Sequence, residues 1–100
     1  MDTLREALGQ AMVGYAGEAL NGYSYLTSSV DHQVFAVVSI ARLRDQRIVD
    51  ASLIARIVNE SIVIEQDIND KLLVDALIAA GVPRARIVLA YAGETVADAA

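Results

Sequence analysis

The residues best suited to chemistry in this sequence are His32 and its polar neighbours. His32 is the only histidine of the 100-residue chain, and it follows Asp31 in a polar segment that predicts a turn. Ser28 and Ser29 lie just before this pair, but a serine nucleophile needs a base held in a defined geometry. A single histidine in a turn is usually solvated, so we expect no catalytic residue and no enzymatic activity. The alternative is an acid–base site in which Asp31, His32 and a carboxylate near Glu65 meet in space.

A second group of polar side chains consists of Glu65, Asp67 and Asp70. Carboxylates at this spacing can bind a cation or share a proton. They also lie at the start of a predicted helix, where acidic side chains cap free N–H groups and complement the helix dipole, and we favour this interpretation. The chain has no cysteine, one histidine and no glycine-rich nucleotide-binding motif, so we expect no metal site and no cofactor.

Three arginines, Arg42, Arg44 and Arg47, surround a predicted hairpin turn. Guanidinium groups bind phosphate or the carboxylates of a partner, but Asp45 lies among them, and a solvated hairpin tip is the default interpretation.

Aromatic side chains offer one more binding chemistry, a stacking platform for single-stranded nucleic acid. The formal net charge is −5, and such binding draws on clustered basic residues, so we expect no direct binding of nucleic acid. Packing in the core or at an interface is the simpler role for these aromatic residues, which are Tyr23, Tyr25, Phe35 and Tyr91.

The elements that must position these residues follow from apolar periodicity. A helical period predicts a first helix over about residues 4–20, which Asn21 and Gly22 end. Short polar turns then separate four strand-like runs. These runs cover residues 23–30, 34–43 and 48–58, and the fourth begins at residues 62–64.

The last third of the sequence predicts a helix and a strand. Asp67 or Asn69 can cap a second helix, which Gly81 ends in a left-handed conformation before Pro83. Residues 87–89 then predict a short strand. The sequence thus predicts one α+β domain over residues 1–100, with an N-terminal helix, a four-stranded antiparallel meander, a second helix and a short C-terminal strand. Both helices are expected on one face of the sheet.

The composition is that of a soluble domain with a single core. Hydrophobic residues make up 55% of the chain, which suffices for a core without disulfides or metals. The N-terminal residues are charged and lack the apolar region of a signal peptide, and no apolar stretch has the length of a membrane span. We therefore expect a cytoplasmic protein that does not bind a membrane.

Both faces of the predicted sheet carry apolar residues, although two helices cover only one. An exposed apolar face of this size usually marks an interface, so we expect a homo-oligomer or a stable complex with another protein. The alternatives are that small apolar residues face solvent, or that the sheet curls over itself. The residues predicted at the interface are Phe35, Val37, Ile40, Leu43, Ile54 and Val58.

Three segments resemble a known family. The strand 62–67, the turn 80–83 and the strand 87–89 are similar to the XisI family of fdxN element excision controlling factors, known chiefly from cyanobacteria. The resemblance runs from about residue 52 to residue 91. Ser39 and Ile40 stand near the place of a Gly-Trp pair of that family, and Ile54 stands where the family has a histidine. The chain thus resembles a divergent member.

The resemblance implies an accessory role in the programmed excision of a DNA element during heterocyst differentiation. In that family's process a recombinase cuts the DNA, and XisI-like proteins are associated with a second factor, XisH, whose fold is nuclease-like. The expected function is therefore regulation through a XisH-like protein partner. A homodimeric module that binds a small ligand or peptide is the alternative.

Overall fold

The computed structural model describes residues 3–19 and 21–96, which fold into two α-helices and one six-stranded sheet. Short 3₁₀ turns flank the last strand, at Arg84–Arg86 and Ala90–Ala92. The elements in chain order are α1 (Thr3–Val13), β1 (Gly17–Ala19), β2 (Gly22–Ser28), β3 (Val34–Leu43), β4 (Gln46–Val58), β5 (Ser61–Asp67), α2 (Leu73–Ala79) and β6 (Ile87–Leu89).

The strands lie in the sheet in the order in which they occur in the chain. Strands β1 to β5 form an antiparallel meander, and β6 pairs in parallel with β5. A parallel neighbour requires a crossover connection, which α2 provides. The predicted α+β class is confirmed. The meander has five strands instead of the predicted four, and the complete sheet is mixed.

The predicted first helix is too long, because α1 ends at Val13. Backbone bonds from Tyr15 N to Met12 O (3.0 Å) and from Ala16 N to Val13 O (3.1 Å) close the turn that follows it. Gly17 then adopts a φ of 130°, a conformation that favours glycine, and opens β1. Pairing of β1 with β2 thus replaces the last turns of the predicted helix, and Leu20 lies outside the described residues.

The predicted start and end signals of α2 lie close to their expected places. Asp67 accepts a hydrogen bond from Leu73 N at 2.7 Å. Its carboxylate therefore caps the first residue of the helix, although Asp67 itself lies at the end of β5. Gly81 adopts a φ of 102°, and Val82 N donates to Leu77 O at 3.0 Å. These bonds end α2 where the sequence predicted. Neither helix of the described ranges is long and apolar enough to cross a membrane.

Both helices pack on the same face of the sheet and enclose a single hydrophobic core with it. The sheet contributes this face through alternate residues of each strand. The buried core residues are Leu8, Met12, Leu73, Val74 and Leu77 from the helices, Phe35, Val37, Leu53, Ala55, Ile62, Ile64 and Ile87 from the strands, and Val82 from the loop after α2.

The opposite side of the sheet, termed the outer face below, is not part of this core. The register assigns to it Glu18 of β1, Tyr23, Tyr25 and Thr27 of β2, Val34, Ala36, Val38, Ile40 and Arg42 of β3, Arg47, Val49, Ala51, Ile54, Arg56 and Val58 of β4, Ser61, Val63 and Gln66 of β5, and Val88 of β6.

Two register shifts decide which residues reach the outer face. One lies at Val37/Val38 in the pairing of β3 with β4, and the other at Ile54/Ala55 in the pairing of β4 with β5. Because a shift of one residue exchanges the two faces, Ile48 lies on the helix side, opposite Ala41, and not with Ile54 as the uninterrupted alternation predicts.

Candidate functional site

The Asp31–His32 segment is a turn stabilised by its own side chains. The Asp31 carboxylate accepts hydrogen bonds from Ser29 Oγ at 2.5 Å and Gln33 N at 3.1 Å, and these bonds hold the pKa of Asp31 below its ordinary value. The exposed His32 ring lies 3.4 Å, Nδ1 to Oγ, from Ser28. The polar neighbour of this histidine is therefore a serine of the same turn.

The acidic residues near α2 do not converge on one point. Glu65 pairs with Arg56 through a 2.7 Å contact between Oε2 and Nε. Asp67 is buried and, besides Leu73 N, accepts Asn69 N at 3.1 Å and Asn69 Nδ2 at 2.8 Å. Asp67 therefore serves the start of α2, as the sequence predicted. Glu65 lies in β5 and pairs with Arg56, so its assignment to the start of the helix is wrong. Within residues 3–19 and 21–96, no group of three or more metal-binding side chains is assembled.

The predicted interface residues separate into different environments. Ile40, Ile54 and Val58 lie half-buried on the outer face. Phe35 and Val37 are 8% and 0% exposed in the core, so their assignment to an uncovered surface is wrong.

Leu43 departs from that prediction in another way. It has the parity of the helix side, opposite Gln46, yet it is 54% exposed. Ile48 on the same side and Val49 on the other are 40% and 59% exposed. The tip of the β3–β4 hairpin therefore extends beyond the helices and is open on both faces.

The centre of the outer face is a continuous apolar surface across three strands. Tyr25 lies opposite Val38, and Val38 lies opposite Ala51, while Ala36 lies opposite Ile54 in the next rung. These strand neighbours form an apolar surface, which Thr27 of β2 and Gln66 of β5 border in the rung of Ala36 and Ile54. The Arg56–Glu65 ion pair borders this surface on the side of β5.

One end of the outer face combines aromatic and basic groups. The rings of Tyr23 and Tyr25 have centroids 4.6 Å apart and are tilted by 39°. Beside them a shallow cavity of about 270 Å³ is lined by both tyrosines, Ile40, Arg42 and Arg47. Arg42 and Arg47 occupy directly opposed positions on β3 and β4, so two positive charges share one rung.

The other end of the outer face holds a groove of about 350 Å³ between β4, β5 and β6. Val58, Val63 and Val88 line it, and Val63 is only 1% exposed. Arg86 and Glu60 border the groove and form an ion pair with 3.0 Å between Nη1 and Oε1. The arginine at this end is thus neutralised within the chain.

Sequence reasoning missed that the tyrosines and the hairpin arginines share one face. The signal was present, since Tyr23 and Tyr25 are two residues apart and must lie on the same side of β2. Their position relative to Arg42 depended on the register of β2 against β3. The structure fixes it through Tyr23 opposite Ile40, two residues from Arg42 on the same side of β3.

The chain matches a known protein family. The model of the family described as XisI protein matches residues 5–99. No curated protein matches the chain.

Two solved structures share the fold. One is an fdxN element excision controlling factor XisI from Anabaena variabilis ATCC 29413, with a TM-score of 0.67, 19% sequence identity and coverage of 88% of each chain. The other is a XisI-like protein from the same organism, with a TM-score of 0.66, 19% identity and coverage of 86% of this chain and 78% of that chain.

Proposed function

Because the chain belongs to the XisI family, we propose that it is a non-catalytic accessory protein that controls excision of a DNA element by binding a XisH-like protein partner. The name of the structural neighbour, an fdxN element excision controlling factor, supports the process. In this proposal the protein acts in the cytoplasm of a cyanobacterial cell during heterocyst differentiation, and a recombinase cuts the DNA.

The observation that carries this proposal is the apolar centre of the outer face. The helices cover the opposite side of the sheet. The central residues of the outer face are half-buried, and Tyr25, Val34 and Val49 around them are 49%, 38% and 59% exposed. Exposed apolar surface that spans several strands is typical of an interface. Its removal from water contributes a favourable free energy of roughly 25 cal/mol per Å² of apolar area. A partner that covers this surface would be stabilised mainly by apolar contact.

The polar groups near this centre favour binding over chemistry. The Arg56 and Glu65 side chains are already paired, and the His32 ring lies in the turn before β3 with Ser28 as its partner. In this proposal the His32→Ala variant supports excision in a reporter strain as well as the wild type does. Loss of excision in a His32→Ala variant that still folds and still captures the partner would contradict the non-catalytic role.

A matched pair of substitutions tests the partner and the surface together. Val49 on the outer face is 59% exposed, and Ile78 on α2 is 45% exposed on the other side of the sheet. Each is replaced by glutamate in the tagged full chain, which is then co-expressed with a XisH-like protein and purified by the tag. We expect the wild type and Ile78→Glu to retain the partner and Val49→Glu to lose it, because a charge in an apolar contact is costly to desolvate.

Two results would contradict the proposal. The first is a wild-type protein that purifies alone and runs as a monomer. The second is equal retention, or equal loss, of the partner by Val49→Glu and Ile78→Glu when circular dichroism shows both to be folded.

A homodimer is the second candidate, and the distribution of charge along β3 favours it. Exposed Asp31 precedes the strand, and exposed Arg42 lies next to its last residue. Two copies packed through their outer faces with antiparallel strands would bring these unlike charges together. Light scattering of the purified chain distinguishes the two candidates. Twice the mass of the chain without any partner, and loss of that dimer in Val49→Glu, would favour self-association.

A further inference from the structure

We propose that the hairpin end of the outer face is an anchor for an acidic segment of a protein partner. This end, termed the basic corner, consists of Tyr23, Tyr25, Ile40, Arg42 and Arg47, which together line the cavity of about 270 Å³. The inference rests on the proposed function, because it states the chemistry by which the partner is recognised.

The two arginines of the basic corner are arranged for an added anion. Arg42 and Arg47 face each other across the β3–β4 ladder, where like charges destabilise the pairing. Among the residues that the structure describes, neither guanidinium forms a hydrogen bond or an ion pair. A carboxylate placed between them accepts hydrogen bonds from both guanidinium groups, and its negative charge offsets the repulsion between the two positive charges.

Other arginines of the chain show the opposite arrangement. Arg84 pairs with Glu94 through a 2.6 Å contact between Nη2 and Oε2, and Arg86 pairs with Glu60. Arg56 is paired with Glu65 in the same way. Within residues 3–19 and 21–96, carboxylates therefore pair with Arg56, Arg84 and Arg86, whereas none pairs with Arg42 or Arg47.

The tyrosines add an apolar wall to the cationic groups. Tyr23 and Tyr25 are 41% and 49% exposed, and their tilted rings lie beside Ile40 along the cavity. Exposed aromatic rings bury much area with little loss of side-chain entropy, and their hydroxyl groups remain free to donate hydrogen bonds. The ligand that fits this wall is a segment in which an apolar side chain adjoins a carboxylate.

The backbone holds the basic corner in place. Asn21 Nδ2 donates to Arg42 O, and Arg42 N donates to Asn21 O, both at 2.9 Å. Gly22 lies opposite Ala41 and leaves no room for a Cβ atom, which would collide with the Ile40 carbonyl group. Asn21 and Gly22 are therefore fixed against the end of β3, and the groups that meet the ligand project from paired strands.

Charge favours an acidic protein segment over a nucleic acid. The whole chain has a formal net charge of −5. The exposed Glu18 of β1 lies opposite Tyr23 on the outer face, and the exposed Asp45 lies in the hairpin turn between Arg42 and Arg47. A long polyanion that extends past Arg42 and Arg47 would meet negative charge, whereas a segment with one or two carboxylates would not.

A titration followed by two-dimensional NMR tests this inference with the full chain. The probe is a short synthetic peptide in which two glutamates flank one leucine, and its control has glutamines in their place. An oligothymidine of eight nucleotides is titrated in parallel. The variants are Arg42→Gln and Arg47→Gln, with Lys71→Gln as a control that removes the same charge from an exposed side chain near α2.

We expect the glutamate peptide to shift the amide signals of the basic corner, and the glutamine peptide to leave them unchanged. Each arginine variant should weaken binding of the glutamate peptide by about 1.5- to 5-fold at low salt, the range for exposed ion pairs, while Lys71→Gln should leave it within error. Higher ionic strength should weaken binding by the wild type and reduce these differences.

Several results would overturn the inference. One is equal amide shifts with both peptides, and another is amide shifts outside the basic corner. A third is an equal loss of peptide binding in Lys71→Gln and in the arginine variants. The last is tighter binding of the oligothymidine than of the glutamate peptide. The capture assay with Val49→Glu and Ile78→Glu is scored separately. If the partner is captured and the peptide does not bind, the anchor fails and the proposed function stands.

Discussion

Val37 and Val38 are neighbours of the same residue type that lie on opposite faces of β3, and they offer a direct test of the two-faced sheet. Val37 is 0% exposed and lies opposite Leu26 and Leu53 on the core side. Val38 is half-buried and lies opposite Tyr25 and Ala51 on the outer face. Replacement of each by alanine removes the same two methyl groups from different surroundings.

The expected costs differ severalfold. Val37→Ala removes roughly 1.6 kcal/mol of buried apolar transfer free energy and leaves a cavity between the sheet and the helices, so about 2–3 kcal/mol of unfolding free energy is lost. Val38→Ala removes methyl groups that are already partly in water, and we expect about 0.5–1 kcal/mol. For a domain of this size the larger cost lowers Tm by roughly 10 °C or more.

Urea denaturation followed by circular dichroism measures both values, since the chain has no tryptophan for a fluorescence signal. The slope of unfolding free energy against urea should be the same for both variants and the wild type, which shows that the same surface unfolds. Equal destabilisation by the two substitutions would refute the assignment of faces. So would a larger effect of Val38→Ala in the isolated monomer, because the outer face would then be covered within the chain.

Three more predictions concern other positions of the fold. Gly22→Ala should cost roughly 1–3 kcal/mol of stability, measured by the same denaturation, because its Cβ would force β2 away from the Ile40 carbonyl group; an unchanged midpoint would contradict the close approach. Asp67→Ala should cost about 2 kcal/mol, since it removes the charged acceptor of Leu73 N at the start of α2, and faster amide exchange should be confined to α2 and its connection to β5. The pKa of Glu94 is lowered by hydrogen bonds from the β6 backbone and a nearby guanidinium, so its contribution to stability is fully present above its ordinary pKa of 4.5 and is lost as pH falls through the lowered value. Amide exchange at the free edge of β6 should therefore increase in acid in the wild type, and a Glu94→Gln variant in which this pH dependence is unchanged would contradict that role.

Local sequence signals were sufficient for most of the elements. The predicted bounds of β3 and of β6 agree with Val34–Leu43 and Ile87–Leu89, because β-branched runs between polar turns leave little alternative. Gly81 ends α2 as predicted, since its φ of 102° is one that other residues rarely adopt. Local residue types were therefore enough to predict the bounds of these two strands and the end of this helix. The first helix was predicted too long because the helical period continues past Val13.

Sequence by itself determined the α+β class, the order of most elements and the excess of apolar residues over the surface that two helices can cover. Tertiary structure decided which apolar residues form the core and which form the outer face. The physical reason is that the faces of a strand alternate at every residue, so one shift at Val37/Val38 and another at Ile54/Ala55 exchange core and surface beyond them. Pairing across β2, β3 and β4 likewise brought Tyr23 and Tyr25 beside Arg42 and Arg47, which no spacing along the chain could show.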